Sequence, residues 1–397
     1  MKVPLLDLTL QYEKIAAEVQ AAIGRVCASQ QFILGPQVRE LELRMARYTG
    51  CEHGIGVSSG TDALLLALMA LGIGPGDAVI TSPFTFFATA GTIARLGARP
   101  IFCDIDRETF NLSPARVEEL IARECEVRGN GGSRQVIHRK TGGRVKAIMP
   151  VHLYGQVCEM DAFMDIANRL GLSVVEDAAQ AIGAQDRKGR MAGSIGHIGC
   201  FSFFPTKNLG AFGDAGLCTT HDPALAERMR ILRVHGMEPK YHHSLIGGNF
   251  RLDEIQAAVL NVKLEYLDEW RDGRKAHARQ YTERLEAGGA AAAVVPPVAI
   301  QGGWHVWNQY VIRVPRRDEL RKYLAEAGIG TEIYYPIPLH LQQCFAYLGH
   351  RPGEMPESER ASSEVLALPV FPELSPAQID HVAGTIERFY APAVATS

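Results

Sequence analysis

Apolar residues recur at steps of three and four in two stretches near the start of the chain, residues 12–28 and 36–49. This spacing places them on one face of a helix, and Gly35-Pro36 separates the stretches, so two amphipathic helices are predicted. Ile55-Gly56-Val57-Ser58 then reads as a short buried strand, followed by an apolar helix over residues 61–71. The chain therefore changes here from surface helices to a buried strand and helix.

From residue 78 to residue 176, apolar runs typical of buried strands alternate with helical patterns. Strands are predicted over 78–81, 99–104, 147–151 and 173–176, and helices over 85–96, 114–123 and 161–170. Regular alternation of this kind predicts a mainly parallel sheet covered by helices on both faces. Residues 126–144, rich in Gly, Arg and Lys, interrupt the alternation, and we expect an exposed loop or hairpin of little catalytic consequence.

The second half of the chain predicts a smaller unit. A turn and strand over 213–220 and a helix over 223–233 precede a long loop over 236–248, and long loops in compact enzymes are often functional. Further on, a strongly periodic helix over 252–270, a strand over 309–314, a helix over 318–327 and a Pro-rich loop suit a small α/β domain. Because 397 residues exceed one average core, we expect a large domain over 1–245 and a small C-terminal domain over 246–397.

Composition restricts the partners and the compartment. The net charge is -3 and Lys and Arg are spread along the chain, which favours neither nucleic acid nor a membrane surface as a partner. The N-terminal segment, with Pro4 and Asp7, lacks the apolar core of a secretory signal, so an uncleaved start is expected. Eight dispersed cysteines without a Cys-x-x-Cys pair indicate reduced thiols in a cytoplasmic protein, and no metal site is expected, His242-His243 included.

A lysine and a carboxylate carry the strongest chemical signal. Lys207 lies in Ser202-Phe203-Phe204-Pro205-Thr206-Lys207-Asn208-Leu209-Gly210, and Asp177 ends the apolar run Val174-Val175-Glu176-Asp177. A desolvated lysine has a lowered pKa and is a nucleophile toward carbonyls, and an acid at the end of a buried strand lies where α/β folds bind ligands. A pyridoxal phosphate enzyme needs both groups, the lysine for the aldehyde and the acid for the pyridine nitrogen. Taken alone, a loop lysine is more often a solvated charge.

The start of the helix at residues 61–71 is a candidate anion site. Gly60 followed by Thr61 places a hydroxyl and free backbone N–H groups at the positive end of a helix, where a phosphate is stabilised. A simple helix cap explains the same residues equally well.

Several segments in a fixed order resemble the sugar aminotransferases of the DegT type. Besides the two segments around Asp177 and Lys207, they are Phe32-Ile33-Leu34-Gly35-Pro36, Ser58-Ser59-Gly60-Thr61-Asp62-Ala63-Leu64, Thr85-Phe86-Phe87-Ala88-Thr89, Pro150-Val151-His152-Leu153-Tyr154-Gly155, Gly248-Asn249-Phe250-Arg251-Leu252-Asp253 and Tyr335-Pro336-Ile337-Pro338-Leu339-His340. The resemblance spans roughly residues 5 to 375. It implies the aspartate-aminotransferase-like fold (fold type I): an α/β large domain with a mainly parallel seven-stranded sheet, plus a smaller α/β C-terminal domain.

The resemblance also implies how pyridoxal 5'-phosphate is held. Lys207 would bond to the aldehyde and later move the proton between substrate carbon and cofactor, while Asp177 would pair with the ring nitrogen. Gln180 would hydrogen-bond the ring oxygen. Phe86 would stack on one ring face, although core packing is an ordinary alternative for this side chain, and Ala179 would lie against the other face.

The remaining implied contacts concern the phosphate, the substrate and a second chain. The phosphate ligands would be the Thr61 hydroxyl, the Asp62 backbone N–H and Ser202, with Asn249 contributed by the other subunit of a homodimer with shared active sites. Tyr335 and His340 would face the sugar or the nucleotide, with a turn packed on the domain surface as the alternative.

The implied reaction is transfer of an amino group, from glutamate, to a keto sugar attached to a nucleoside diphosphate. A branch of the family that dehydrates sugars carries histidine where this chain has Lys207, which favours transamination. Lys240-Tyr241-His242-His243 together with the Tyr335 segment favours a 3-keto sugar, UDP- or dTDP-linked, over C4 amination of a 4-keto-6-deoxy sugar. Two other possibilities are a pyridoxal phosphate-binding regulator, which would be expected to lack Lys207, and an enzyme of small amino acids, which would grip the α-carboxylate with arginine.

Overall fold

The structure is a computed structural model, and it describes residues 1–129 and 134–391. Its strands are β1 (His53–Val57), β2 (Asp77–Thr81), β3 (Arg99–Phe102), β4 (Cys125–Arg128), β5 (Gln135–His138), β6 (Arg144–Met149), β7 (Ser173–Asp177), β8 (Ile198–Ser202), β9 (Gly216–Thr220), β10 (Tyr310–Arg313) and β11 (Val365–Leu368). Its α-helices are α1 (Thr9–Ser29), α2 (Pro36–Thr49), α3 (Gly60–Ala70), α4 (Ala88–Arg95), α5 (Pro114–Glu124), α6 (Met160–Leu170), α7 (Pro223–Leu232), α8 (Glu254–Leu264), α9 (Leu267–Ala287), α10 (Arg317–Glu326), α11 (Pro356–Glu364) and α12 (Pro376–Tyr390).

The predicted seven-stranded, mainly parallel sheet is present in the order β1-β9-β8-β7-β6-β2-β3. Among these seven strands, only β9 runs antiparallel to its neighbours, β1 and β8. The hairpin of β4 and β5 joins beside β6, so the predicted exposed loop or hairpin at 126–144 is a hairpin that extends the sheet. Residues 130–133 of that segment lie outside the described residues.

Alternate side chains of each strand point to opposite faces of the sheet, and each face has its own apolar core. Ile80 packs in the core that contains Leu41 of α2 and Phe163 of α6. Its neighbour Val79 packs in the core that contains Leu66 of α3. Burial on both faces explains why these strands read as short continuous apolar runs.

The segments that contain the candidate site residues lie together at one edge of the sheet. Strands β2, β6, β7 and β8 are parallel, so their carboxyl ends lie together, and β1 has the same direction because it and β8 both oppose β9. The segments that follow β1, β2, β7 and β8 contain, in order, residues 58–62, 82–87, 178–180 and 203–215. In α/β folds this edge is where ligands bind.

A third apolar core is built around the antiparallel pair β10 and β11, which α10 and α12 cover, and it forms the second, small unit of the chain. Its α9 contributions begin at Ala278, whereas Leu260 of α8 and Leu267 of α9 pack in the core of the large sheet. Packing therefore does not divide the chain at residue 245. We propose that the small unit begins inside α9.

Two predicted helices differ from the observed ones. The helix predicted over 85–96 begins only at Ala88, which leaves Phe86 in the preceding loop. The helix predicted over 252–270 is two helices, because at the break the N–H groups of Glu265 and Tyr266 donate to carbonyls only three residues back, those of Val262 and Lys263. The apolar period continues across this break, so the pattern alone cannot show it. Across residues 1–129 and 134–391, no helix has both the length and the apolar character that crossing a membrane requires.

Candidate active site

Lys207 lies in the loop that joins β8 to β9, and local contacts fix its backbone. Its N–H donates to the Phe204 carbonyl at 2.8 Å, and the Asn208 side-chain amide donates to the Val306 carbonyl at 2.9 Å. Gly210 passes so close to Pro205 that a Cβ there would lie 2.2 Å from the Pro205 carbonyl oxygen. Only glycine fits at that position. The backbone before and after Lys207 is therefore held in place by local contacts.

Burial dominates the electrostatics of Lys207. Loss of hydration lowers the pKa of its ammonium to about 8, although the Asp177 carboxylate acts in the opposite direction. A substantial fraction of the amine is therefore neutral near pH 8. The neutral amine is the form that attacks carbonyls and accepts protons.

Asp177 occupies the carboxyl end of β7 and is buried. Its Oδ2 accepts a hydrogen bond of 2.7 Å from the Thr89 hydroxyl, and its Oδ1 accepts one of 3.2 Å from the Ala179 N–H. Burial raises the pKa of Asp177. In the described part of the chain no Lys, Arg or His forms an ion pair with it, so a cationic ligand group would supply the missing counter-charge.

Gln180 is part of a buried polar network with two tyrosines. Its side-chain oxygen accepts a 2.7 Å hydrogen bond from the Tyr154 N–H, and its side-chain nitrogen donates at 3.0 Å to the Tyr335 hydroxyl. The Tyr154 hydroxyl in turn donates to the Tyr334 carbonyl. The network therefore brings Tyr335 of the second unit to the same edge as Gln180. One amide hydrogen of Gln180 is left for another acceptor.

The amino end of α3 and the end of β8 touch. A Cβ on Gly60 would lie 2.5 Å from the Ser202 Cβ, so the glycine allows the helix start to reach Ser202. The α3 cap is Ser59, whose hydroxyl oxygen accepts from the Asp62 N–H at 3.0 Å. A phosphate would have to share that N–H. Within the described residues the Thr61 hydroxyl makes no hydrogen bond, and it remains available.

Phe86 is 58% exposed, so it is not a core residue in this chain. Its ring lies 6.3 Å from the ring of Tyr335. An apolar ring so open to solvent beside a buried polar network is suited to cover the face of a ligand.

Two predicted residues lie apart from this group. Asn249 is exposed and belongs to a segment that follows the outer edge of β1, where Arg251 bridges to Val57. The side chain of His340 has no exposed surface and pairs with Glu359 at 3.1 Å. Within the described residues, neither the Asn249 nor the His340 side chain hydrogen-bonds a residue around Lys207, although the Phe250 carbonyl beside Asn249 accepts from the Ser58 N–H at 3.0 Å. Contact of His340 with a substrate would require its loop to rearrange.

Sequence reasoning gave no role to Thr89 or to the pair of His152 with Glu176. His152 Nδ1 accepts from the Cys158 N–H at 3.1 Å, so Nε2 carries the proton and donates to Glu176 Oε2 at 2.8 Å. The same carboxylate accepts backbone N–H groups of Gly193, Ile195 and Gly196. Thr89 and His152 lie within the segments that resemble the DegT type, and this position is the feature of the sequence that could have indicated a role for them.

Comparison with known proteins finds one family and several relatives that this chain resembles along nearly its whole length. The model of the DegT/DnrJ/EryC1/StrS aminotransferase family matches residues 13–387. A "Pleiotropic regulatory protein" of Geobacillus stearothermophilus is 50% identical over 98% of this chain and 99% of its own length. A UDP-N-acetyl-3-dehydro-alpha-D-glucosamine 3-aminotransferase of Acidithiobacillus ferrooxidans is 42% identical over 97% of each chain.

Two solved structures are similar to this chain over nearly its whole length. The crystal structure of DesV from S. venezuelae in complex with a ketimine intermediate has a TM-score of 0.90 and 41% identity, covering 98% of this chain and 99% of DesV. The structure of NtdA from Bacillus subtilis with bound cofactor PMP has a TM-score of 0.84 and 30% identity, covering 97% of this chain and 84% of NtdA.

Proposed function

The chain belongs to the DegT/DnrJ/EryC1/StrS aminotransferase family, and from this premise we propose that it transfers an amino group from glutamate to a nucleotide-linked keto sugar. The observation that carries the proposal is that a half-buried, desolvated Lys207 and the buried Asp177 lie at the carboxyl edge of the sheet and act on each other electrostatically. Lys207 is a desolvated amine with a lowered pKa, and Asp177 is a buried carboxylate that needs a cationic partner.

The residues fit pyridoxal 5'-phosphate as the cofactor. Asp177 suits a protonated ring nitrogen, and the meeting of Gly60 with Ser202 beside the free Thr61 hydroxyl suits a phosphate at the amino end of α3. When bound, the cofactor supplies an aldehyde and an electron-withdrawing ring for amino-group chemistry.

The other residues of the site have separate proposed roles in proton transfer, orientation of Asp177 and contact with the cofactor. The Lys207 amine, neutral in part near pH 8, accepts and returns a proton at its Nζ. Thr89 and the Ala179 N–H hold the Asp177 carboxylate in one orientation. The rings of Phe86 and Tyr335, 6.3 Å apart, would cover one side of the bound cofactor. In this assignment Phe86 and Ala179 would hold the ring from its two faces, and Gln180 would donate a hydrogen bond to the ring oxygen.

For the acceptor, we propose a 3-keto sugar carried by UDP or dTDP. The relative from A. ferrooxidans is a 3-aminotransferase of a UDP sugar, which favours C3 over the alternative of C4 amination of a 4-keto-6-deoxy sugar. A product of this kind serves amino-sugar, surface polysaccharide or glycoside biosynthesis. Tyr335 is the side chain of this chain proposed to face the sugar.

A regulatory role is the second candidate, because the relative from G. stearothermophilus carries a regulatory name. Fold alone does not decide between the two roles. A sensor without turnover has no need of a neutral, buried amine, whereas Lys207 is present and desolvated. We therefore favour catalysis.

We propose a homodimer in which Asn249 reaches the phosphate of the partner's site. Asn249 follows the outer edge of β1, whereas Ser202 ends β8, two strands further into the sheet. An exposed amide at the sheet's edge is better situated to serve a neighbouring chain than its own Ser202 site.

We also propose that the protein works in the cytoplasm. All eight cysteines are free thiols. Cys200 and Cys218 face each other on β8 and β9 and still form no disulfide, which suits a reducing compartment.

The test uses the purified protein with pyridoxal phosphate and glutamate. Supplied with UDP- or dTDP-linked 3-keto sugars, the wild type should form amino sugars detectable by mass spectrometry, and Lys207→Ala should form none. Free keto acids and 4-keto-6-deoxy sugars serve as competing acceptors. A Lys207→Ala variant with the wild-type rate, or acceptance of free keto acids alone, would contradict the proposal.

A further inference from the structure

A cavity of about 90 Å³ lies behind the Lys207 loop, where the large sheet meets the second unit. Its wall includes Thr206, which precedes Lys207, and Tyr334, which precedes Tyr335. Arg274, Asn308 and Gln309 also line it. The cavity is thus one residue away, along the chain, from two side chains of the candidate site.

Arg274 brings a buried positive charge to this cavity. The residue is 4% exposed and forms no ion pair with any carboxylate of the described ranges. One guanidinium nitrogen donates to the carbonyls of Trp307 and Val370, at 3.2 and 2.7 Å. Burial lowers the pKa of Arg274 to about 10, which still leaves it charged at neutral pH. The nearby Glu373 carboxylate attracts Arg274 and acts against this lowering of the pKa, but the two form no direct ion pair. An anion in the cavity would therefore add a direct counter-charge to a buried cation.

Two side-chain amides beside Arg274 are also without partners. Asn308 is 9% exposed and the oxygens of both the Asn308 and the Gln309 amides are buried without a hydrogen bond. Neither amide nitrogen donates to another group in the described part of the chain. Half a turn about the last side-chain bond would therefore exchange oxygen and nitrogen without breaking any hydrogen bond. Each amide can then donate into the cavity.

A guanidinium flanked by two adaptable amides matches a carboxylate, which accepts several hydrogen bonds and carries the opposite charge. The volume admits such a group but not a whole sugar nucleotide. We propose that the cavity binds one carboxylate of the amino donor, with Arg274 as its cation and Asn308 and Gln309 as the groups that select it. This inference rests on the proposed function and adds where the donor, as distinct from the sugar, is recognised.

The test places a fixed negative charge in the cavity. Asn308→Asp and Gln309→Glu nearly preserve shape, neutralise Arg274 from within and repel an incoming carboxylate. Gln301→Glu makes the same change at an exposed position outside the cavity and is the matched control. Arg274 itself is left unchanged, because it also holds two carbonyls of the fold. Thermal unfolding checks that each variant is folded.

The two halves of the reaction are measured separately on the holoenzyme. For both cavity variants the KM for glutamate should rise about tenfold or more, while the half-reaction with the keto sugar stays within about twofold. An unchanged glutamate KM in a folded variant overturns the proposal and leaves the cavity to water. If Asn308→Asp does not fold, the less buried Gln309→Glu decides the matter by the same criterion.

A second readout does not depend on turnover. Calorimetry with glutarate, a dicarboxylate without an amine, should show binding to the wild type and to Gln301→Glu, and at least about tenfold weaker binding to Gln309→Glu. That result supports the carboxylate site even if no nucleotide sugar is aminated, so the two failures are distinguishable. Equal binding to all three proteins, or to none, overturns the site.

Discussion

At the scale of single residues, the reactivity of Lys207 follows from burial. The lowered pKa, about 8, predicts that its amine titrates well below an ordinary lysine. In protein freed of cofactor, modification of Lys207 by an amine-reactive anhydride should rise with pH and level off above about pH 8. Mass spectrometry of peptides measures it, with exposed Lys322 as the reference. Parallel pH profiles for the two lysines would contradict a desolvated Lys207.

Thr89 is the residue-scale partner of Asp177. Thr89→Val keeps the shape but removes the hydroxyl that donates to Asp177 Oδ2. A hydrogen bond to a charged group contributes about 1.5–3 kcal/mol, so kcat should fall about tenfold or more while the protein stays folded. Thr92→Val is the control, because the Thr92 hydroxyl donates only to backbone carbonyls of its own helix, those of Ala88 and Thr89, and not to Asp177. If both variants keep full activity, Thr89 does not position Asp177.

At the scale of elements, two adjacent residues of β7 have different roles, one in the candidate site and one in holding a neighbouring segment. Asp177 points to the candidate site, while Glu176 anchors the segment 193–196 through three backbone N–H groups and His152. Burial alone would raise the pKa of Glu176, but these hydrogen bonds outweigh it and hold the pKa below its usual value. The stabilisation is therefore complete above the unfolded-state pKa and is lost as the pH falls through the lower folded-state pKa.

Glu176→Gln should accordingly lower the free energy of unfolding at pH 7 by about 3 kcal/mol, because His152 and a backbone donor lose a charged acceptor. The difference from wild type should shrink as the pH falls. Urea unfolding at several pH values measures it, and Glu159→Gln, at an exposed acid, should change little. A loss of stability that does not vary with pH would mean that packing, not charge, is responsible.

Elements and site were predictable from the sequence to different extents. Alternating apolar runs predict the sheet, and Asp177 and Lys207 are readable because each lies in a short local motif at a strand end. The partners of these groups are not local. Thr89 reaches Asp177, and Tyr335 reaches Gln180, only after distant segments fold together. The sequence pattern also does not show where α8 ends, because its apolar period continues into α9.

At the scale of the whole molecule, the shared site of the proposed dimer can be tested by mixing chains. A Lys207→Ala chain is co-expressed with an Asn249→Asp chain, and the mixed dimers are isolated. If the two residues of one site come from different chains, each mixed dimer has one site with both changes and one with neither, and activity partly returns. Aspartate is chosen because it repels phosphate. If each variant alone is inactive and verified mixed dimers also stay inactive, the shared site is rejected and Asn249 belongs to its own subunit's site or to the loop scaffold.

The antiparallel direction of β9 has a consequence for how the molecule assembles. Ser202 and Gly216 are paired at the two ends of the Lys207 loop, so this contact has low sequence separation and a small loop-closure cost. The contact of Val57 with Gly216 joins distant parts of the chain and costs more. We expect the hairpin of β8 and β9, which carries Lys207, to form early in refolding, and β1 with the amino end of α3 to join late. Pulse-labelling hydrogen exchange should then protect the amides of β8 before those of β1, and the reverse order would exclude this sequence of events.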